Sequence, residues 1–254
     1  MKRLLGIGAL LACGLLVGGA AADSLQTGNL FVVANGGFAP RKLPRRAFAP
    51  IHFKGHLEIR AVDGGIPEQL KQLVIDFDRD GRLSTKGLPI CDPELLREAT
   101  PEEARALCGR AVVGRGRLWV MFALPGQSPQ RVGSLLTLFN GPRENGHPTA
   151  ILQARIDQPF TEVYDLTIPI KKRRGAYRYR ATLNLPPIAG GYGAITHVNV
   201  DLGRRWRFAG EPRSYISARC SDGILSTNGR LTFATAEEGD TVIESSVDKG
   251  CAAR

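Results

Sequence analysis

The run VYDLTIPI at 163–170, the basic KKRRG at 171–175 and AYRYRATLNL at 176–185 decide how this chain is read. Tyr177, Tyr179 and Thr182 suit a pleated surface, and Leu183 and Leu185 recur at the strand period of two. Lys171, Lys172, Arg173, Arg174 and Gly175 between the two runs then form an exposed hairpin tip. The same texture extends in both directions. Leu73, Ile75 and Phe77 alternate cleanly, and Asp80-Gly81 reads as a hairpin turn with the intervening aspartates facing water. Further runs follow at 117–124, 133–139, 149–156, 194–202, 214–219, 230–234 and 241–247. Spacing of about ten residues, with Gly, Pro and Asn between runs, predicts an all-β sandwich or barrel. The expected architecture is an antiparallel two-sheet β-sandwich of about ten to twelve strands.

One interval has a different signature. Asp92-Pro93-Glu94 and Thr100-Pro101-Glu102-Glu103 both present a capping side chain, proline at the first helical position and acids in the first turn. Leu95, Leu96, Ala104 and Leu107 supply apolar faces, so a short helical insert is expected between Cys91 and Cys108. No internal repeat or mid-chain linker divides the sequence. The expected organisation is a signal peptide at 1–22, an N-terminal arm at 23–50 and a β-sandwich domain at 51–254. The arm holds one strand, Leu30 to Val33, while the prolines of the stretch 39–46 disfavour regular structure there.

Residues 1–22 begin with Lys2 and Arg3, continue through an apolar run from Leu4 to Val17 and end on Ala20-Ala21-Ala22. That is the form of a secretory signal peptide, and it is too short and glycine-rich for a membrane span. Cleavage after Ala22 is expected, with no transmembrane segment in the mature chain. Lipid anchoring at Cys13 is the weaker reading. Leu11 is bulky for a lipobox, and Leu15, Leu16 and Val17 would stay attached. Four cysteines follow the leader: Cys91, Cys108, Cys220 and Cys251. An even number in an exported chain points to two disulfides. Sequence proximity favours Cys91–Cys108 and Cys220–Cys251 among the three connectivities, and zinc would want its cysteines closely paired.

The whole chain carries 34 basic and 24 acidic residues, a formal charge of +10. Loss of Lys2 and Arg3 with the leader leaves the mature chain near +8. Such a surface suits an anionic envelope polymer or lipid surface, and nucleic acid is not the expected partner. The strongest candidate residues are Lys171, Lys172, Arg173 and Arg174, with a second cluster at Arg204, Arg205, Trp206 and Arg207. Arginines offer forked donors and Trp206 a stacking face. The competing reading packs Trp206 and Phe208 inward, with the arginines solvated.

Other signals fall short. Asp76-Phe77-Asp78-Arg79-Asp80-Gly81 imitates the start of a calcium loop, but Gly87 stands where a closing glutamate belongs, and Arg79 and Arg82 crowd the site. His52 and His56 share a strand face with no local third ligand. Ser134 lies inside an apolar strand without a nucleophile elbow. Neither a metal nor a cofactor is expected.

Several ordered elements resemble a group of uncharacterised exported proteins of soil actinobacteria. They are Gly87-Leu88-Pro89-Ile90-Cys91, the ALCGxAxVGxG run around Cys108, Leu138-Phe139-Asn140-Gly141, Gly191-Tyr192-Gly193, Ser214 to Cys220, and Cys251. The resemblance implies a secreted β-sandwich and carries over no catalytic or binding residue. The function expected from all of this is an exported non-catalytic binding or structural protein of the envelope or extracellular space. The alternative is a secreted hydrolase acting on glycans or lipids, with carboxylates assembled from distant strands.

Overall fold

A computed structural model describes residues 23–234 and 239–253. The expected signal peptide and Cys13 lie outside the described residues. Twelve strands make the main sheet: β1 (Asp23–Thr27), β2 (Leu30–Ala39), β3 (His52–Ala61), β4 (Gln69–Asp78), β5 (Val112–Phe122) and β6 (Gln130–Asn140) come first. They are followed by β7 (Thr149–Ile156), β8 (Glu162–Lys172), β9 (Tyr177–Asn184), β10 (Gly193–Leu202), β11 (Ile224–Ala234) and β12 (Asp240–Gly250). Their spatial order is β1-β2-β3-β10-β5-β6-β7-β8-β9-β4-β11-β12, antiparallel throughout.

The all-β expectation holds, but the two-sheet sandwich does not. The strands form one continuous sheet rolled into a near-barrel. The reason lies in β8. Its first part pairs with β7 as far as Thr149↔Pro169, and Ile170 to Lys172 then pair with β9. Pro169 stands at the transfer, where a residue without an amide hydrogen disturbs the ladder least. One strand therefore serves both walls. At the open seam the sheet edges meet through side chains: the Ser246 amide donates to Asp23 Oδ2 at 3.1 Å, and Lys249 Nζ to Asn35 Oδ1 at 3.0 Å.

Inside, alternate residues of the facing walls share one core. It contains Leu30, Val32, Ile59, Val120, Phe122, Ile156, Leu231, Phe233 and Ile243. The walls also touch directly, since Gln69 Nε2 donates to the Gly193 carbonyl at 3.1 Å. At Gly116 a β-carbon would overlap the Asn199 carbonyl oxygen, so only glycine fits between β5 and β10 there. Burial of this apolar surface is the main favourable contribution to the fold.

Residues 23–50, read as an arm, are largely sheet. β1 and β2 form one edge of the near-barrel. Even the proline-rich stretch is paired: Lys42–Leu43 runs parallel to Ala252–Ala253, and Ala49–Pro50 pairs with Ile216–Ala218. Asp80-Gly81 does not close a hairpin either. The chain leaves the near-barrel there, and Gly81–Leu83 joins the other side of Ile216–Ala218.

The helical insert is as expected. A 3₁₀ turn spans Pro93–Leu96, with Asp92 Oδ1 accepting from the Glu94 amide at 3.1 Å. Helix α1 (Pro101–Cys108) starts on a reciprocal Thr100–Glu103 capping box. Leu96, Ala104 and Cys108 bury this lobe against Phe139 and Ile151 on the outside of the sheet. Both expected disulfides form, Cys91–Cys108 and Cys220–Cys251, with Cα separations of 5.3 and 5.9 Å. Among the described residues no helix is long and apolar enough to cross a membrane.

Candidate anion-binding cleft

A cleft of about 850 Å³ lies beside the β8–β9 hairpin. One wall is the connection from Leu83 to Ile90. The opposite wall is Lys172 and Arg173 at the end of β8, with Arg178 and Tyr179 on β9, and Phe48 and Arg143 complete the lining. Six lining residues are basic, Arg82, Lys86, Arg143, Lys172, Arg173 and Arg178, and none is acidic. Among the described residues none of these six lies within salt-bridge distance of a carboxylate. Uncompensated like charges lining a concave surface raise the local concentration of anions.

The backbone that forms the cleft is closely braced. Asn140, almost fully buried at the end of β6, donates from Nδ2 to the Pro89 carbonyl at 2.9 Å and accepts the Cys91 amide at 2.9 Å. At Gly141 a β-carbon would overlap Thr149 Oγ1, so the floor cannot carry a side chain there. Gly87 has φ +74°, and a β-carbon on it would collide with the Phe208 ring. Three guanidinium groups surround Phe48, those of Arg178, Arg219 and Arg82 at 5.2, 5.3 and 5.6 Å from the ring centre. Attraction between the cations and the ring quadrupole offsets part of their mutual repulsion. Arg178 Nε also donates to the Arg79 carbonyl at 2.7 Å, which fixes its guanidinium plane.

The two basic clusters expected from the sequence have separate fates. Lys172 and Arg173 line the cleft, while Lys171 and Arg174 are exposed outside its lining. Arg204, Arg205 and Arg207 are exposed and do not line it. Trp206 packs with Leu88, Val113 and Tyr215, and its Nε1 donates to the Lys86 carbonyl at 3.1 Å. Trp206 therefore braces the Leu83–Ile90 wall from behind, as the packing alternative anticipates for it, whereas Phe208 stays exposed with its ring beside Gly87. Sequence reasoning passed over Arg82, Lys86, Arg143 and Arg178 as cleft residues. Only Arg178, alternating with tyrosine in the YRYR run, carried any local signal.

The aspartates of the calcium-like run do not all face water. Asp76 is buried and held by both Nε and Nη2 of Arg180. Asp80 accepts from Arg219 Nε at 2.7 Å and the Ser221 amide at 2.8 Å. Asp78 accepts from the Asp80 and Ser226 amides at 2.7 and 2.8 Å. Desolvation dominates at Asp78 and raises its pKa. These carboxylates are anchors of the β4 end and of the Arg219 segment. Ser134 is likewise engaged, donating to the Arg155 carbonyl at 2.6 Å.

His52, His56 and His197 lie elsewhere, on β3 and β10. β3 and β10 bring His56 to His197, with ring centres 6.4 Å apart. Arg131 donates to His197 Nδ1 at 3.3 Å and lies over the Trp119 ring at 5.6 Å. Burial lowers the His197 pKa, the Arg131 and His56 charges add to this, and Glu58 opposes it. A histidine depressed in the fold gains its proton first in the unfolded chain. Stability from this site is then present above the unfolded value of about 6.5 and is lost as pH falls below it. Thermal melts between pH 7.5 and 5.5 are expected to show a smaller acid-side loss for His197→Gln than for the parent chain. An equal loss would show that His197 does not carry this dependence.

Compared with known proteins, the chain matches no family model, no curated protein and no solved structure.

Proposed function

We propose that the protein acts outside the cytoplasm as a non-catalytic binding protein whose cleft receives the anionic groups of an envelope polymer or a lipid surface. One observation carries this reading: six cationic side chains line one concavity with no acid among them. The two disulfides fit an oxidising compartment. A glycan hydrolase would use a facing pair of carboxylates, which this lining does not offer, and Asp76 and Asp80 are tied to arginines.

The test compares two variants of equal charge change. Lys172→Ser/Arg173→Ser/Arg178→Ser removes three cleft cations, and Arg204→Ser/Arg205→Ser/Arg207→Ser removes three exposed ones outside it. Each basic residue near an anionic surface contributes about 1 kcal/mol at modest ionic strength. The cleft variant should bind phosphatidylglycerol vesicles about a hundredfold more weakly, with a flatter salt dependence, and the control should change far less. Equal weakening by both would show that overall charge, not the cleft, governs binding.

A further inference from the structure

Resting on that anion-binding reading, we infer that the cleft selects a phosphate monoester joined to an apolar group. The first support is the pair of guanidiniums on Phe48. Arg219 is neutralised by Asp80, whereas Arg82 and Arg178 have no carboxylate partner among the described residues. A carboxylate has two oxygens and saturates one arginine fork. A terminal phosphate presents three oxygens and up to two charges, so two forks can share it. Lys172 and Arg173, on the same wall as Arg178, supply further positive charge for the dianion.

The second support is apolar. Ile90 is 59 % exposed although it is a large aliphatic residue, and it lines the cleft together with Leu83, Pro148 and Tyr179. An inorganic anion would leave this wall wet, whereas an ester with an acyl or similar chain would cover it. The volume of about 850 Å³ also exceeds what an inorganic anion needs and suits a ligand of lipid-headgroup or cofactor size. The ester can come from a bilayer lipid or from a soluble metabolite, and both present the same chemistry.

Titration calorimetry of the protein at moderate salt with dihexanoyl phosphatidic acid, inorganic phosphate and hexanoate tests this directly. The ester should bind about tenfold or more tightly than inorganic phosphate, and hexanoate weakest. Ile90→Ser should weaken the ester about tenfold and leave inorganic phosphate unchanged. Phe48→Leu should weaken both phosphates about fivefold by releasing the two guanidiniums. Ile90 is exposed, so its variant keeps the test valid if Phe48→Leu unfolds. Phosphatidic acid vesicles that the soluble ester displaces would identify a bilayer source, and ester binding without vesicle binding a soluble one. Equal affinity for ester and inorganic phosphate, or for hexanoate and the ester, would overturn the inference. Vesicle binding through the cleft without ester preference would sink only this inference, whereas no anion binding at all would sink the underlying reading too.

Discussion

Replacing Asp80 by alanine is expected to destabilise the fold by about 3 kcal/mol, read as a shift of the urea midpoint. Asp80 is fully buried and accepts two hydrogen bonds, from Arg219 Nε and from the Ser221 amide. Its own backbone carbonyl also accepts the Arg219 amide at 3.0 Å. One side chain thus fastens the end of β4 to the segment that leads into Cys220. Removing it strands a guanidinium and an amide. The loss should sit at the low end of the range for broken buried pairs, because Arg219 is 30 % exposed and water can reach it. Asp80→Asn keeps an acceptor for Ser221 and should lose less than alanine. Burial by itself would raise the Asp80 pKa, but the bonds from Ser221 and Arg219 outweigh it and hold the group below the ordinary carboxylate range. Its stabilisation is therefore present above about pH 4 and disappears as acid protonates the folded form. An unchanged midpoint in the alanine variant would show that β4 is held by other contacts.

The paired substitution Cys220→Ser/Cys251→Ser should cost between about 3 and 4 kcal/mol, because the bridge closes a loop 31 residues long in the unfolded chain. For a chain of this length that corresponds to a fall of about 10 °C in Tm. The bridge sits in a small apolar cluster with Phe38, Leu43, Ile51 and Ala218, beyond the end of the main core. It also brings Ala252–Ala253 to Lys42–Leu43, the only parallel pairing among the described strands. The Cys91–Cys108 bridge closes a loop of 17 residues and should contribute slightly less. A fall in Tm of under about 2 °C for the double serine variant would mean that the native contacts already confine this end of the chain.

The local features were legible because their physics is local. Asp92 and Thr100 cap amides two and three residues away, Gly175 ends a hairpin tip between adjacent strands, and each disulfide joins the nearest cysteines along the chain. Trp206 could be placed against packing because its neighbours Arg205 and Arg207 alternate with it at strand period. The arrangement of the strands was not legible. A sandwich and a rolled sheet have the same alternation of apolar residues, and the difference lies in one strand, β8, that passes from β7 to β9 at Pro169.

What the amino-acid sequence determined by itself is the β character of the chain, the capped helical insert, the pairing of the four cysteines and the basic character of the hairpin tip. Tertiary structure decided that Asp76 and Asp80 are buried anchors, since their partners Arg180 and Arg219 stand 104 and 139 residues away. It also decided the cleft. Lys172 and Arg173 meet Arg82, Lys86 and Arg143 only because the sheet rolls and the chain leaves β4 beside the β8–β9 hairpin. Pairwise propensity acts over a few residues, whereas a site built from four or five distant segments exists only once the ladders that carry them have closed.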